Sequence, residues 1–324
     1  IFKFFSAKSK RFKITKIKYD GKSIGDDIHL EAQCLDKFKW FDKKIKKDAE
    51  AEIDLELGGF TADHTPYYLP LSIVIVEKDL VFNDVGKTEA KIKVDLKSDS
   101  VQISTHRVIV KERRGINIGR NEASYLVTVE VSVTPIIKYI PKTKDGWLVV
   151  LRDRTDKPES LPTFLKVKVD RVDVLREYFT VLEGLWQGEG FSVELNGAQS
   201  HLLDENPQSV PVSLTYSVSK KLLSLGRNKY KAVDYKGYTW GKGLYDIEIA
   251  DSPHKKGAPY LAQAKYAKVW FRVGHKEDRY IHAGGSSAGC ITLIELNKWD
   301  ELCEILLKGR KGDSRSIGTL EVID

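Results

Sequence analysis

The sequence contains no methionine, three cysteines, and no apolar run long enough to cross a bilayer as a helix. The cysteines, Cys34, Cys290 and Cys303, are odd in number and lack metal-ligand spacing, which argues against a disulfide framework and against a zinc site. No signal peptide is recognised at the first residues. The lack of methionine has no physical explanation in the sequence. What remains is a chain with at least one free thiol.

The composition is that of a globular protein with more than one domain. Its 324 residues exceed what one hydrophobic core usually serves, and 41% are hydrophobic and 31% charged. A net charge of +7 favours acidic partners such as nucleic acid, anionic membranes or cell-wall polymers. Lysines nevertheless alternate with apolar residues over 8–18 and lie beside acids over 42–48, as on solvated strand faces and loops. No nucleic-acid motif is present, so no nucleic-acid partner is predicted.

The first part of the chain has the period-two pattern of half-buried strands. Short strands separated by Gly, Asn and Asp turns predict an antiparallel β-sandwich over 1–137. Thr134-Pro135 and the stretch 141–146 interrupt the pattern and form the best linker, and the histidines here are interpreted as structural. The alternating positions are Ala49, Ala51, Ile53, Leu55 and Leu57; Ala90, Ile92, Val94 and Leu96; and Val127, Val129, Val131 and Val133, with histidines at His29, His64 and His106.

The second part, 138–324, resumes the strand pattern and ends with a helix. Strands are predicted near 165–169, 179–182, 191–195, 267–273 and 279–282. Trp299, Leu302, Cys303 and Leu306 then fall on one face of a helix, which places Cys303 in the core. Asn297 is the predicted N-cap and Gly309 the stop. The fold class is therefore mainly β throughout.

Residues 280–293 combine a histidine, a run of small residues and a cysteine. His282 ends a strand and Cys290 follows eight positions later. A thiol is only a few per cent ionised at neutral pH, so a nucleophilic cysteine needs a base such as imidazole. Gly284, Gly285 and Gly289 let the chain turn so that the two side chains can meet. This spacing predicts a thiol nucleophile with its base.

The same residues resemble the catalytic motif of the L,D-transpeptidase family. Ser287-Ala288-Gly289-Cys290-Ile291, preceded by a strand ending in Ile281-His282, is similar to the family's Ser/Thr-His-Gly-Cys cluster with its upstream histidine. Residues 238–245, Tyr-Thr-Trp-Gly-Lys-Gly-Leu-Tyr, weakly resemble the family's Thr-Pro-x-Gly-x-Tyr segment. The resemblance covers the last third of the chain and implies a β-rich catalytic domain with motif-bearing core 206–324, followed by a short helix after the cysteine.

The resemblance implies acyl transfer on peptidoglycan stem peptides by a bacterial periplasmic or secreted enzyme, as L,D-transpeptidase or L,D-carboxypeptidase. Cys290 would form a thioester and His282 would be the base. Gly289 and the Cys290 N–H would form an oxyanion hole, and Ser287 would either orient the imidazole or close the turn. No metal or organic cofactor is implied, and the β-sandwich could bind a protein partner. The expected substrate-binding residues are Tyr260, Tyr280, Gly284, Gly285 and Ser286, with Trp270 as a further groove residue.

Three alternatives stay open. His254 or His275 could reach the thiol in place of His282. A non-catalytic module that binds cell-wall peptide or a protein partner is a rival, because Ala288 replaces the motif's second histidine and Thr292 stands where Arg or Asn is usual. A secreted antibacterial effector that uses this chemistry is the third.

Overall fold

The structure is a computed structural model that describes residues 5–6, 8–22, 24–60, 66–78, 83–96, 98, 100–112 and 121–324. It is mainly β, with 55% strand and 6% helix, as the sequence predicts. The chain divides into two compact units, 1–136 and 137–324. Of the histidines interpreted as structural, His64 lies outside the described residues.

The first unit is built from antiparallel strands. Strand β2 pairs with β5 and β9, and β8 pairs with β9; a second sheet has the order β4-β3-β6-β7. Pro135 lies inside β9 and does not end it, although the proline was expected to mark a linker. The strands are β1 (Phe5–Ser6), β2 (Lys8–Gly21), β3 (Asp27–Cys34), β4 (Lys37–Lys44), β5 (Glu50–Gly59), β6 (Tyr67–Glu77), β7 (Asp84–Val94), β8 (Gln102–Lys111) and β9 (Glu122–Tyr139).

The two sheets of this unit share one hydrophobic core. Alternate residues of β9 are buried, including Val127, Val129 and Val131, and they belong to the same cluster as Leu30 and Ile73 of the other sheet. Each fully buried aliphatic side chain stabilises the fold by about 1.5–3 kcal/mol relative to exposure. The period-two pattern of the sequence therefore corresponds to inward-facing side chains of a sandwich.

The second unit contains two sheets and one helix. A sheet of order β11-β10-β14-β13-β12 is antiparallel, and a second has the order β18-β22-β15-β16-β17-β21-β20-β19. The elements are β10 (Trp147–Arg152), β11 (Pro158–Pro162), β12 (Lys166–Val172), β13 (Arg176–Val181), β14 (Gly190–Glu194), β15 (Val212–Ser217), β16 (Leu222–Leu225), β17 (Asn228–Val233), β18 (Gly243–Glu248), β19 (Phe271–Arg272), β20 (Tyr280–Ala283), β21 (Ile291–Leu293), α1 (Trp299–Lys308) and β22 (Ser316–Ile323), with 3₁₀ turns at Lys255–Tyr260 and Leu296–Lys298.

The helix α1 follows Cys290 as predicted, and the apolar stripe that contains Cys303 is fully buried. Gly309 is its C-cap, whereas the N-cap is Lys298 rather than Asn297. The strand expected over 267–273 is largely wrong, since only Phe271–Arg272 pairs as a strand there. Residues 261–270 instead form turns that bring Trp270 into the interior.

Candidate functional site

The site is carried by a parallel pair of short strands within a largely antiparallel unit. Strands β20 and β21 run in the same direction, with Ile281 opposite Ile291 and His282 opposite Thr292. Residues 284–290 form the whole connection between them, which is short because parallel strands usually need a crossover of about a dozen residues or more. This arch places Cys290 immediately before β21, two residues before Thr292, which faces His282.

Ser287 closes the arch. Its hydroxyl donates to the Cys290 carbonyl (2.6 Å) and accepts the Gly289 N–H (3.1 Å). Gly289 has φ +127, a backbone conformation that side-chain-bearing residues rarely adopt. Of the two roles weighed for Ser287, the hydroxyl bonds observed are those of turn closure. The Gly289 N–H is held in the turn, which leaves the Cys290 N–H as the candidate oxyanion donor.

Cys290 opens into a pocket of about 250 Å³. Its side chain is partly exposed, whereas Cys34 and Cys303 are buried, and all three thiols are free. Burial raises the pKa of Cys290, and the Tyr280 N–H, Arg279 and Lys256 only partly oppose this effect. The resting thiol is therefore protonated at neutral pH. Of the predicted residues, those lining the pocket are Tyr260, Trp270, His282, Gly284, Ser286 and Ser287.

His282 is buried, lines the same pocket as this thiol and is neutral at pH 7. Burial lowers its pKa to about 4, despite the hydrogen bond from Nδ1 to the Ala283 carbonyl. That bond, 2.9 Å long, requires the hydrogen on Nδ1, so Nε2 accepts from the Thr292 hydroxyl at 3.1 Å. The imidazole thus lines the same pocket as Cys290 while both of its nitrogens bond to other groups.

A stack of three rings holds the imidazole in place. The ring of Trp270 lies 3.8 Å from that of His282, with 12° between the planes, and 4.3 Å from that of His254, with 5° between the planes. His254 Nε2 bonds to Asp251 at 3.0 Å. Although burial opposes ionisation of Asp251, hydrogen bonds from His254, the Ser252 N–H and the Arg272 side chain lower its pKa to about 2. His282 is therefore fixed by packing from one side and by hydrogen bonds at its edge.

Arg279 holds the arch in place through a hydrogen bond to its backbone and contacts with two aromatic rings. Its Nε donates to the Gly289 carbonyl at 3.0 Å, and its guanidinium carbon lies 3.5 Å from the centre of the Trp240 ring and 4.5 Å from that of Tyr238. Guanidinium groups stack favourably on aromatic faces. The segment 238–245, noted in the sequence for its weak family resemblance, thus contacts the thiol-bearing turn through Arg279. The sequence alone did not identify Arg279 as part of the site.

Three predicted site residues do not line the pocket: Gly289, which is held in the turn, Tyr280 and Gly285. Tyr280, expected to bind substrate, is absent from the pocket lining; its ring packs against His254 and Trp270, and its hydroxyl bonds to Arg272 and Asp251. All four residues of β20 are buried, so the sequence has no alternation of polar and apolar residues to show which side chains face the pocket. Gly285 is also outside the lining, although its N–H donates to the Tyr260 hydroxyl at 3.0 Å.

The alternative bases have other partners. The His275 nitrogens bond to Glu248 and Asp246. His254 is held by Asp251 and separated from His282 by the stacked Trp270. His282 is accordingly the imidazole that shares a pocket with the thiol. Sequence reasoning also missed Lys256, a pocket residue with no local motif to signal it.

No protein-family model matches the chain, and no curated protein matches it. Solved structures with some similarity include a C2 domain of a plant extended synaptotagmin 1, at 13% identity, TM-score 0.23, covering 40% of this chain and 96% of that one. Human GIVD cytosolic phospholipase A2, in complex with an inhibitor, has 9% identity and TM-score 0.24, covering 59% of this chain and 32% of that one. With TM-scores this low, neither similarity bears on function.

Within the described ranges, no helix is both long and apolar enough to span a membrane. The part of the chain that the structure describes likewise holds no group of three or more His, Cys, Asp or Glu side chains able to bind a metal ion.

Proposed function

We propose that this chain is a cysteine-dependent acyl-transfer enzyme that acts on peptidoglycan stem peptides, as an L,D-transpeptidase or L,D-carboxypeptidase. The observation that supports this proposal is the shared pocket of Cys290 and His282, formed by the parallel pair β20–β21 and its arch. The choice of substrate comes from the resemblance of residues 281–291 to the family motif. A partner-binding role for the β-sandwich belongs to the same proposal.

The reaction begins from a neutral thiol and a neutral imidazole. Sγ of Cys290 attacks the carbonyl carbon of the scissile amide while its proton passes to Nε2 of His282, the nitrogen that carries the lone pair. The developing oxyanion is stabilised by the Cys290 N–H. The C–N bond then breaks, the leaving amine takes the proton from the imidazolium, and a thioester remains on Cys290.

The second half of the reaction decides the product. An acceptor amine attacks the thioester and gives a cross-link, or water attacks and gives the shortened peptide. His282 again accepts the attacking group's proton and returns it to the departing sulfur. Before either half-reaction, the Thr292 hydroxyl must release Nε2, because in the resting arrangement it occupies that lone pair.

Mass analysis of muropeptides incubated with the purified protein tests this proposal. We expect the wild type to release a terminal D-amino acid or to form a cross-linked dimer. Cys290→Ala and His282→Ala should each abolish product. Cys303→Ala, which changes a buried thiol outside the pocket, should retain it once circular dichroism confirms folding. Full turnover by Cys290→Ala would reject the mechanism.

A non-catalytic module is the second candidate, and a specific observation favours it. The raised thiol pKa and the engagement of both imidazole nitrogens describe a pair that is not ionised at rest. Such a module would bind stem peptides without changing them. Peptide binding measured by calorimetry, together with unchanged peptide mass after long incubation, would support it, whereas Cys290-dependent turnover would exclude it.

A further inference from the structure

The pocket of Cys290 has a marked charge asymmetry. Lys256 carries the only charge at neutral pH among the described residues that line it, since His282 has a pKa of about 4 and Cys290 is protonated. The remaining lining residues are aromatic or small and uncharged. Within the described part of the chain, no carboxylate lines the pocket to offset the ammonium group.

Lys256 is also exposed, and its ammonium group has no ion-pair partner among the described residues. Asp278, whose negative charge acts on the Cys290 thiol, has a cationic partner of its own, since it lies 3.3 Å from Arg272. An exposed cation that lines a pocket with otherwise uncharged walls attracts an anionic group on the molecule that enters.

We propose that Lys256 determines specificity at this site by binding a carboxylate of the molecule that Cys290 attacks. This inference rests on the proposed function for the identity of that molecule, an acyl-donor peptide, although the anion preference itself follows from the pocket. The carboxylate has two possible sources in such a peptide, the free C-terminus next to the scissile amide and an acidic side chain. Lys256 thereby favours anionic donors over neutral ones of the same shape.

Alkylation of Cys290 tests the charge preference without any turnover. Iodoacetate and iodoacetamide differ by one negative charge, and the alkylated Cys290 peptide can be quantified by mass spectrometry. We expect Lys256→Gln to lower the ratio of the iodoacetate rate to the iodoacetamide rate by about two- to tenfold, the effect of removing one charge near a partly solvated site.

Two variants serve as controls for that ratio. Lys256→Arg keeps the charge and should retain the wild-type ratio. Lys255→Gln removes an equal charge from the adjacent exposed residue, which does not line the pocket, and should also retain it. An unchanged ratio in Lys256→Gln, or an equal fall in Lys255→Gln, would overturn the proposal.

Peptide substrates then identify the carboxylate. Three donors are compared: one with a free C-terminus and an acidic side chain, one with a C-terminal carboxamide, and one with an amidated side chain. The carboxylate bound by Lys256 is the one whose amidation raises KM in the wild type but not in Lys256→Gln.

The two proposals fail in different ways. If no peptide is turned over while the iodoacetate preference still depends on Lys256, the acyl-transfer proposal fails and the anion site stands. If turnover requires Cys290 but all three donors react alike in both proteins, the anion site fails and the acyl-transfer proposal stands.

Discussion

The Thr292 hydroxyl lies 3.1 Å from Nε2 of His282, directly across the parallel strand pair whose connecting arch ends at Cys290. Thr292 is fully buried, so this bond is formed out of contact with water. Together with the Nδ1 bond to the Ala283 carbonyl, it sets the tautomer of the imidazole. The residue that stands where the family motif has Arg or Asn therefore controls the proposed base.

Thr292→Val should raise the reactivity of Cys290, because valine keeps the shape of threonine but frees Nε2 to accept the thiol proton. We expect the iodoacetamide rate at Cys290 to rise a few-fold at neutral pH, while stability falls by about 1–3 kcal/mol for the unpaired buried nitrogen. Thr292→Ser keeps the hydroxyl and should match the wild type. A slower rate in Thr292→Val would instead mean that the hydroxyl assists proton transfer.

The protein should lose stability in mild acid through His282. Its pKa is about 4 when folded and 6.5 when exposed, so the unfolded chain binds more protons between these values. The free energy of unfolding is therefore highest above pH 6.5. It falls by about 3 kcal/mol as the pH drops towards 4, because protonation of His282 favours the unfolded chain. Urea unfolding of wild type and His282→Gln at several pH values measures it. Equal pH dependence of the two proteins between pH 6.5 and 4 would contradict this assignment.

Arg279→Lys should destabilise the thiol-bearing turn although the charge is kept. Lysine cannot donate to the Gly289 carbonyl while stacking on Trp240 as the planar guanidinium does. We expect a loss of about 2–3 kcal/mol in the free energy of unfolding, since the site is buried and its carbonyl would be left unpaired. The matched change Arg315→Lys, at a largely exposed arginine, should cost less than about 0.5 kcal/mol. Equal effects would show that Arg279 does not brace the turn.

Gly289→Ala should affect both stability and reactivity. The positive φ of this residue costs about 1–3 kcal/mol with any side chain, and a Cβ there would meet the Tyr238 ring at 3.2 Å. Gly188→Ala is the matched control, because Gly188 also has a positive φ but has no atom within 4 Å of a Cβ. Both variants should lose stability by urea unfolding. Only Gly289→Ala should change the alkylation rate of Cys290, and a change in both would assign the effect to global destabilisation.

The sequence predicted those features that depend on local period. The sandwich strands follow from a hydrophobic period of two residues, and the buried face of α1 follows from a period near 3.6. Cys303 lies in the core as expected. The ring stack did not follow, because His254, Trp270 and His282 come together only by tertiary packing. The same packing explains the wrong strand at 267–273: Trp270 is buried along with Val269, so alternation there carried no information about faces.

The site was partly predictable for a related reason. The spacing of His282 and Cys290 predicted that the two side chains can meet across the turn, and in the structure both line one pocket. Their protonation could not be predicted, since it depends on burial and on Thr292 and Ala283 as hydrogen-bond partners. Lys256 belongs to a 3₁₀ turn remote from the motif in sequence, so no spacing pointed to it.

The brevity of the arch over 284–290 has a consequence for its evolution and engineering. Both ends of the arch continue directly into hydrogen-bonded strands. The arch therefore has no spare residues that could accommodate an insertion or a deletion. A shift of one position would turn every β21 side chain to the opposite face and carry the sulfur away from the imidazole. Exchanges of one small residue for another should be tolerated in this arch far better than any change in its length.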